Sequence, residues 1–353
     1  SAPDHVLDAK RHHLGVAGLP EWDEFENSPP AGPQLDLVFS AEANPHEATL
    51  LIRQREVKTA WNVLLNGRKL GTLETLAQPL VLALPVPVGA LRNGENRLTI
   101  LRPPSRMLDD IVVGEIALDS RPRDEVLGGV TIDIRVGDAE SGADVPCRLT
   151  LVDHEGALAP LRASPGQRLA VRTGVVYTGD GRARLTTAPG NYVLYASRGF
   201  EYGVATQRLA LGAGETKSIA LQLRREVPTP GLVACDTHIH TLTYSKHGDA
   251  TLDERMFTIA GEGIELAVAT DHNHHADYTE PAARAGVNAH FTPVVGNEVT
   301  TKFGHFNAFP VPAGGPVPNA QLSDWTQLLH HIRSVTGAQV VTLNHPRDLH
   351  SDF

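Results

Sequence analysis

A chain of 353 residues, 41% of them apolar, has material for more than one buried core, and at roughly 100–200 residues per domain it divides into two or three units. Its 25 prolines and 32 glycines favour many turns and short strands over long helices. A formal net charge of −10 argues against the basic face that nucleic acid or an anionic membrane requires, and no apolar run approaches the 18 or so residues of a membrane span.

Residues 1–34 read as an irregular opening, rich in proline and charge between Gly18 and Gly32. Alternating apolar segments follow at Leu35–Phe39, Thr49–Ile52, Trp61–Leu65 and Val81–Leu84, the period-two pattern of half-buried strands. Asn66-Gly67 predicts a tight hairpin, because both turn positions favour residues that tolerate positive φ, and Asn93-Gly94 before Asn96–Ile100 repeats the device. With Ile111–Ile116, residues 35–120 resemble a jelly-roll β-sandwich of the galactose-binding type. Residues 121–226 form a second all-β stretch, with strands predicted at Val130–Val136, Cys147–Val152, Tyr192–Ser197 and Ser218–Leu223. Ala188-Pro189-Gly190-Asn191-Tyr192 followed by Arg198-Gly199 resembles the small transthyretin-like sandwich that accompanies carboxypeptidases. Neither sandwich shows a catalytic cluster. Trp61 or Tyr202 could stack on a glycan, but aromatics at alternating strand positions are more often core.

Val227-Pro228-Thr229-Pro230 reads as a linker, since two prolines remove backbone donors and stiffen the chain. From 231 to 353 the pattern changes to strands alternating with helices, with helical spacing at Thr251–Gly261 and Ser323–Thr336 and strands at Glu265–Thr270, Thr292–Val295 and Val340–Leu343. That alternation predicts parallel βα units. Cys147 and Cys235 are the only cysteines and fall in different predicted domains, so no disulfide framework organises the fold. The opening Ser-Ala-Pro suits a mature exported protein, periplasmic or extracellular, and equally suits an arbitrary boundary or a cytoplasmic chain.

Twelve of the 17 histidines follow residue 236. His238-Ile239-His240 on an extended strand sends both imidazoles to one face, where they can chelate one ion. Three further strand ends carry ligand-type residues: Asp271-His272, Glu298, and His345 after Asn344. Sites assemble at the C-terminal ends of parallel strands, so agreement among four such ends predicts one metal centre. Imidazole and carboxylate together suit zinc, manganese or iron. His330 and His331 are adjacent on a predicted helix, diverge by about 100° and cannot chelate together.

The run Asp236–Arg347 resembles the polymerase and histidinol phosphatase (PHP) superfamily of metal-dependent hydrolases, whose fold is a distorted (β/α)7 barrel. His238-Ile239-His240-Thr241, His247-Gly248-Asp249-Ala250-Thr251, Glu262-Gly263, Thr270-Asp271-His272-Asn273, Gly296-Asn297-Glu298-Val299-Thr300 and Gly304-His305-Phe306-Asn307 resemble in combination its carbaryl hydrolase-like branch. The resemblance implies two or three divalent ions: one on His238, His240 and Glu298, a second on Glu298, His305 and His345, and a third position using His247 and His272. It implies hydrolysis of an ester, carbamate or amide in a small-molecule substrate by a water that the cations activate. Asp271, Asp236 or Asp249 would orient ligands or that water. A PHP-type phosphoesterase is the first alternative, and a carbohydrate-binding or adhesion protein with a degenerate barrel is the second. The late Asp-x-His pair of such barrels does not occur before Phe353, and Leu349-His350-Ser351-Asp352 lies too close to His345 to replace it, so the expected barrel is incomplete.

Overall fold

The computed structural model describes residues 4–104 and 108–346, which are built mainly of antiparallel sheet. The first unit contains β1 (His5–Leu14), β2 (Gln34–Ala41), β3 (Ala48–Arg55), β4 (Asn62–Leu65), β5 (Arg68–Thr72), β6 (Leu80–Val86), β7 (Gly94–Leu101) and β8 (Ile111–Asp119). They form two four-stranded sheets, ordered β1-β8-β3-β6 and β2-β7-β4-β5. In β7, Asn96, Leu98 and Ile100 turn inward while their neighbours face out, so strict alternation delivers one face to the core. Trp61, Ile52, Leu98, Ile100 and Ile116 fill that core.

A short helix, α1 (Arg123–Val126), leads into the second sandwich. Its strands are β9 (Val130–Asp138), β10 (Cys147–Asp153), β11 (Leu161–Ala163), β12 (Leu169–Arg172), β13 (Val175–Thr178), β14 (Arg182–Thr187), β15 (Gly190–Ser197), β16 (Ala205–Leu211) and β17 (Thr216–Leu223). Five of them order as β12-β13-β10-β15-β16 and four as β11-β14-β9-β17, with β17 parallel to β9. Val130, Ile132, Ile134 and Val136 alternate into its core against Leu149, Leu151 and Leu194.

The remaining residues form β18 (Cys235–Ile239), α2 (Leu242–Ser245), α3 (Leu252–Gly261), β19 (Leu266–Ala269), α4 (Thr279–Ala285), β20 (Thr292–Val295), β21 (Asn297–Thr301), β22 (Gly304–Phe309), α5 (Trp325–Thr336) and β23 (Val340–Leu343). β18, β19 and β20 are parallel, as the βα alternation predicts. Thr251 caps α3 through a reciprocal capping box with Glu254, and Asp324 caps α5. Among the described residues no helix is long and apolar enough to cross a membrane.

Four expectations need correction. Residues 1–34 are not all irregular: β1 pairs with β8, its apolar alternation masked by the polar run Lys10–His13. Asn66-Gly67 does turn β4 into β5 with φ of 51° and 80°, but Asn93-Gly94 closes no hairpin. It lies between β6 and β7, which belong to different sheets, and Asn93 Oδ1 instead accepts a hydrogen bond from the Ala43 amide at 2.8 Å. The second sandwich has five strands beyond the four predicted, because β11–β14 and β16 are short or rich in arginine and threonine. The last unit does not continue as parallel βα units through Val340–Leu343: the parallel sheet β18-β19-β20 gives way, across Gly296, to an antiparallel sheet β21-β22-β23. Leu349-His350-Ser351-Asp352 lies outside the described residues.

The linker is tied down rather than free. The Val227 amide donates to the Glu201 carbonyl at 3.1 Å, and Thr229 Oγ1 donates to the Glu201 carboxylate at 2.7 Å. The second sandwich also grips α3 directly, since buried Arg198 donates from Nη1 to the Ala260 carbonyl at 2.7 Å and to the Pro146 carbonyl.

Candidate metal centre

Glu298 stands at the centre of the cluster. It lies on β21 just past Gly296, where the chain switches from the parallel to the antiparallel sheet, and its side chain is fully buried. A Cβ on residue 296 would lie 2.8 Å from the Ala269 carbonyl oxygen, so only glycine lets the strands approach closely enough to carry Glu298 inward. Five imidazoles reach its two oxygens. His238 Nε2 lies 3.3 Å, His305 Nδ1 3.3 Å and His345 Nε2 3.5 Å from Oε1, while His240 Nε2 lies 3.2 Å and His272 Nδ1 2.7 Å from Oε2. Burial opposes ionisation of the Glu298 carboxyl, yet hydrogen bonds from His238, His240, His272 and Asn344 hold it far below the usual carboxylate range.

The His-x-His pair behaves as strand geometry requires: His238 Nε2 and His240 Nε2 are 3.0 Å apart on one face. His247, on the loop after α2, brings its Nε2 to 2.6 Å from His272 Nε2. Three groups therefore meet the geometry of an ion site: His238, His240 and Glu298; His272, Glu298 and His305; and His240, His247 and His272. All seven predicted ligands converge, but the sharing differs from the expected partition. His272 joins the Glu298–His305 group as well as His247, and His240 belongs to two groups. His345 completes the cluster from the end of β23, its backbone held at φ 29°, a strained conformation for a residue with a side chain.

The donor set fits a cation. Two nitrogens bound about 2.0–2.1 Å from one tetrahedral ion stand roughly 3.3 Å apart, near the 3.0 Å between His238 Nε2 and His240 Nε2, while the 2.6 Å between His247 Nε2 and His272 Nε2 is shorter than that spacing. Burial, with the neighbouring imidazoles His272 and His240, lowers the pKa of His247; burial also lowers that of His305, and the neutral form is the one that binds metal.

Behind the ligands lies a buried polar frame. Asp271 Oδ1 accepts from the Thr241 amide at 2.7 Å, Thr241 Oγ1 at 2.9 Å and Ser245 Oγ at 2.7 Å, while Oδ2 accepts from Tyr278 OH at 3.2 Å. Ser245 Oγ in turn lies 3.1 Å from His240 Nδ1. Asp271 thus positions His240 through Ser245, and its carboxylate makes no hydrogen bond to the His272 ring among the described residues. Asp236 Oδ1 accepts from the His238 amide at 3.0 Å, and Asp249 pairs with Arg172 at 3.0 Å.

Sequence reasoning missed Asn307 and Asn344. Asn344 Nδ2 donates to Glu298 Oε1 at 2.8 Å and to Asn307 Oδ1 at 2.7 Å, and Asn307 Nδ2 donates to the Thr237 carbonyl at 2.8 Å. Their signal was available: Asn307 lies two residues after His305 on a strand, so the two side chains share a face. His331 is structural, its Nε2 accepting from the Asn319 amide at 3.0 Å. Trp61 cannot stack on a ligand, being fully buried with its indole N–H donated to Asp109 Oδ2 at 2.9 Å.

No family model matches the chain, and no curated protein does. Among solved structures, the chain is similar to the major pilin subunit BcpA of Bacillus cereus at 12% identity, with 54% of this chain and 64% of that one covered and a TM-score of 0.21. For the pilus 2b backbone protein of group B streptococcus the figures are 12%, 55%, 93% and 0.19. For the β-glucuronidase of Faecalibacterium prausnitzii they are 11%, 82%, 59% and 0.21. At such TM-scores these likenesses carry no argument about fold or activity.

Proposed function

We propose that residues 231–346 carry a metal-dependent hydrolase centre of the PHP type, built on the leading strands of a barrel of that kind and acting on an ester, carbamate or amide bond. The observation that supports this reading is the convergence of six imidazoles on and around one fully buried carboxylate, Glu298, from five separate stretches of chain. A purely structural carboxylate would be satisfied by two or three donors, and a surface histidine cluster would not need a buried anion.

Zinc, manganese or iron bound by these residues would polarise the scissile carbonyl and lower the pKa of water. The chain's own residues divide the remaining work. Glu298 supplies the negative charge that offsets more than one cation, and Asn344 keeps its Oε1 oriented by donating from Nδ2. Ser245 holds the His240 ring through a contact of 3.1 Å to Nδ1, and Thr300 and Glu298 hold His272 Nδ1 at 2.6 and 2.7 Å, which would leave Nε2 of both rings to bind a cation.

Elemental analysis of the purified chain beside its His238→Ala and Glu298→Ala variants tests the site. Bound metal is expected in the parent and a loss of at least half in each variant, most in Glu298→Ala because Glu298 belongs to two of the three groups. Metal content unchanged in both variants would refute the assignment. Rates with p-nitrophenyl acetate, an aryl carbamate and p-nitrophenyl phosphate then test the bond: a metal-dependent preference for the phosphate would make the centre a phosphoesterase.

A further inference from the structure

A cavity of about 810 Å³ opens beside the histidine cluster, and its walls come from two different units. His238, His240 and His247 line one side, while Tyr177 and Phe200 of the second sandwich line the other. The volume lies within the roughly 300–1,000 Å³ usual for small-molecule sites. The spacing of the two sides is fixed by direct bonds. Tyr177 OH donates to Glu262 Oε1 at 2.5 Å, and Arg172 reaches Glu254 Oε1 at 3.0 Å across the same seam.

Phe200 takes no part in that seam. It sits on the turn between β15 and β16 with 69% of its surface exposed, yet it borders the cavity that contains three of the candidate metal ligands. A large apolar ring left in water is held at a cost in free energy, and a ligand body seated on it would recover part of that cost. Ile239 and Ile264 supply further apolar surface to the same chamber.

Charge narrows the choice of ligand. Arg172 is neutralised by Asp249 and Glu254, and Glu262 is occupied by Tyr177 and Arg148. Arg255 differs: it lines the chamber from α3 and forms no ion pair among the described residues. Its Nε donates to the His240 carbonyl at 2.9 Å and Nη1 to Thr258 Oγ1 at 3.4 Å, which uses two of five N–H donors. A guanidinium with donors to spare matches the planar, bidentate geometry of a carboxylate.

Building on the hydrolase reading, we propose that the second sandwich is a wall of the substrate chamber, and that the chamber selects an apolar substrate carrying a carboxylate, its body on Phe200 and its anion on Arg255. Selectivity for charge then resides in one residue of α3, and selectivity for bulk in one residue of a neighbouring domain.

Two measurements on the full chain test this. Calorimetry with 3-phenylpropionate and 3-phenylpropionamide, on metal-loaded and metal-stripped protein, should show the acid binding about ten-fold or more tighter than the amide in both. Arg255→Gln should abolish the difference, Arg255→Lys should restore part of it, and Phe200→Ala should weaken both ligands. The second measurement compares kcat/KM for the p-nitrophenyl monoester of adipate with that for the same ester methylated on its free carboxylate. The ratio should favour the anion and fall about ten-fold in Arg255→Gln, a change that simple loss of packing would not produce. A preference that persists in Arg255→Gln, equal binding of acid and amide, or unaltered binding in Phe200→Ala would overturn the proposal. If neither ester is hydrolysed with metal bound, the hydrolase reading fails, and the calorimetric arm still decides the chamber.

Discussion

Replacing Asp271 by asparagine and by alanine separates the charge of this residue from its shape. The carboxylate is fully buried and accepts four hydrogen bonds, three on Oδ1 and one on Oδ2. The asparagine side chain would keep an oxygen for Thr241 and Ser245 and turn its amide towards Tyr278, whose hydroxyl can rotate to accept. What it loses is the charge. Hydrogen bonds to ionised groups contribute about 1 kcal/mol more than neutral ones, so three of them give a destabilisation of about 3 kcal/mol for Asp271→Asn. Alanine removes the acceptor altogether, strands the Thr241 amide and leaves a cavity, and should cost about 5 kcal/mol. Calorimetric unfolding resolves this, with roughly 4 °C expected per kcal/mol for a unit of this size. Metal retention gives a second readout, because Ser245 loses its anchor and with it the hold on His240 Nδ1, which should weaken affinity about 10- to 100-fold. An alanine variant as stable as the parent, or an asparagine variant as damaging as alanine, would refute this account.

Two further outcomes follow from the same geometry. Cys147 is completely buried and its thiol is pushed up to about 12 by burial, whereas Cys235 is exposed, so native protein should react with a thiol reagent at one equivalent, and mapping should place it on Cys235. Fast modification of Cys147 would contradict the packing of the second sandwich. The contact between the second sandwich and α3 should be acid-sensitive: burial opposes ionisation of Glu254, but Arg172 and Thr251 hold its carboxyl below the usual 4.5. A depressed carboxylate contributes stability above its unfolded value and loses it as pH falls below 4.5 towards the folded one, by no more than about 1 kcal/mol for so accessible a pair. Acid titration of Glu254→Gln should lack that loss, and a parent-like acid slope in the variant would count against it.

Much of the centre was legible because metal ligands are few in type and strands place them predictably. His238-x-His240, His272, Glu298 and His345 stand out as ligand-type residues at strand ends, and all of them meet within one cluster. Their sharing was not legible. Which imidazole approaches which oxygen of Glu298 depends on how the chain turns at Gly296 and on the strained backbone at His345, and neither leaves a mark in residue spacing. Asn307 and Asn344 escaped notice because a buried amide in a hydrogen-bond chain looks, in sequence, like any turn former.

The sandwiches divide in the same way. Period-two alternation in β3, β7, β9 and β10 marks strands without any knowledge of partners, since a half-buried strand must send every second side chain inward. β1 carries too many polar residues to be recognised, and it becomes a strand because the edge of β8 offers its backbone hydrogen bonds. Sequence by itself therefore marked the candidate ligand residues and the strands that bear a core face, both of which are properties of single elements. Only the tertiary structure decided that Phe200 and Arg255 border the same cavity as His238, His240 and His247, because that adjacency arises where one domain packs against another, between residues that no local period connects.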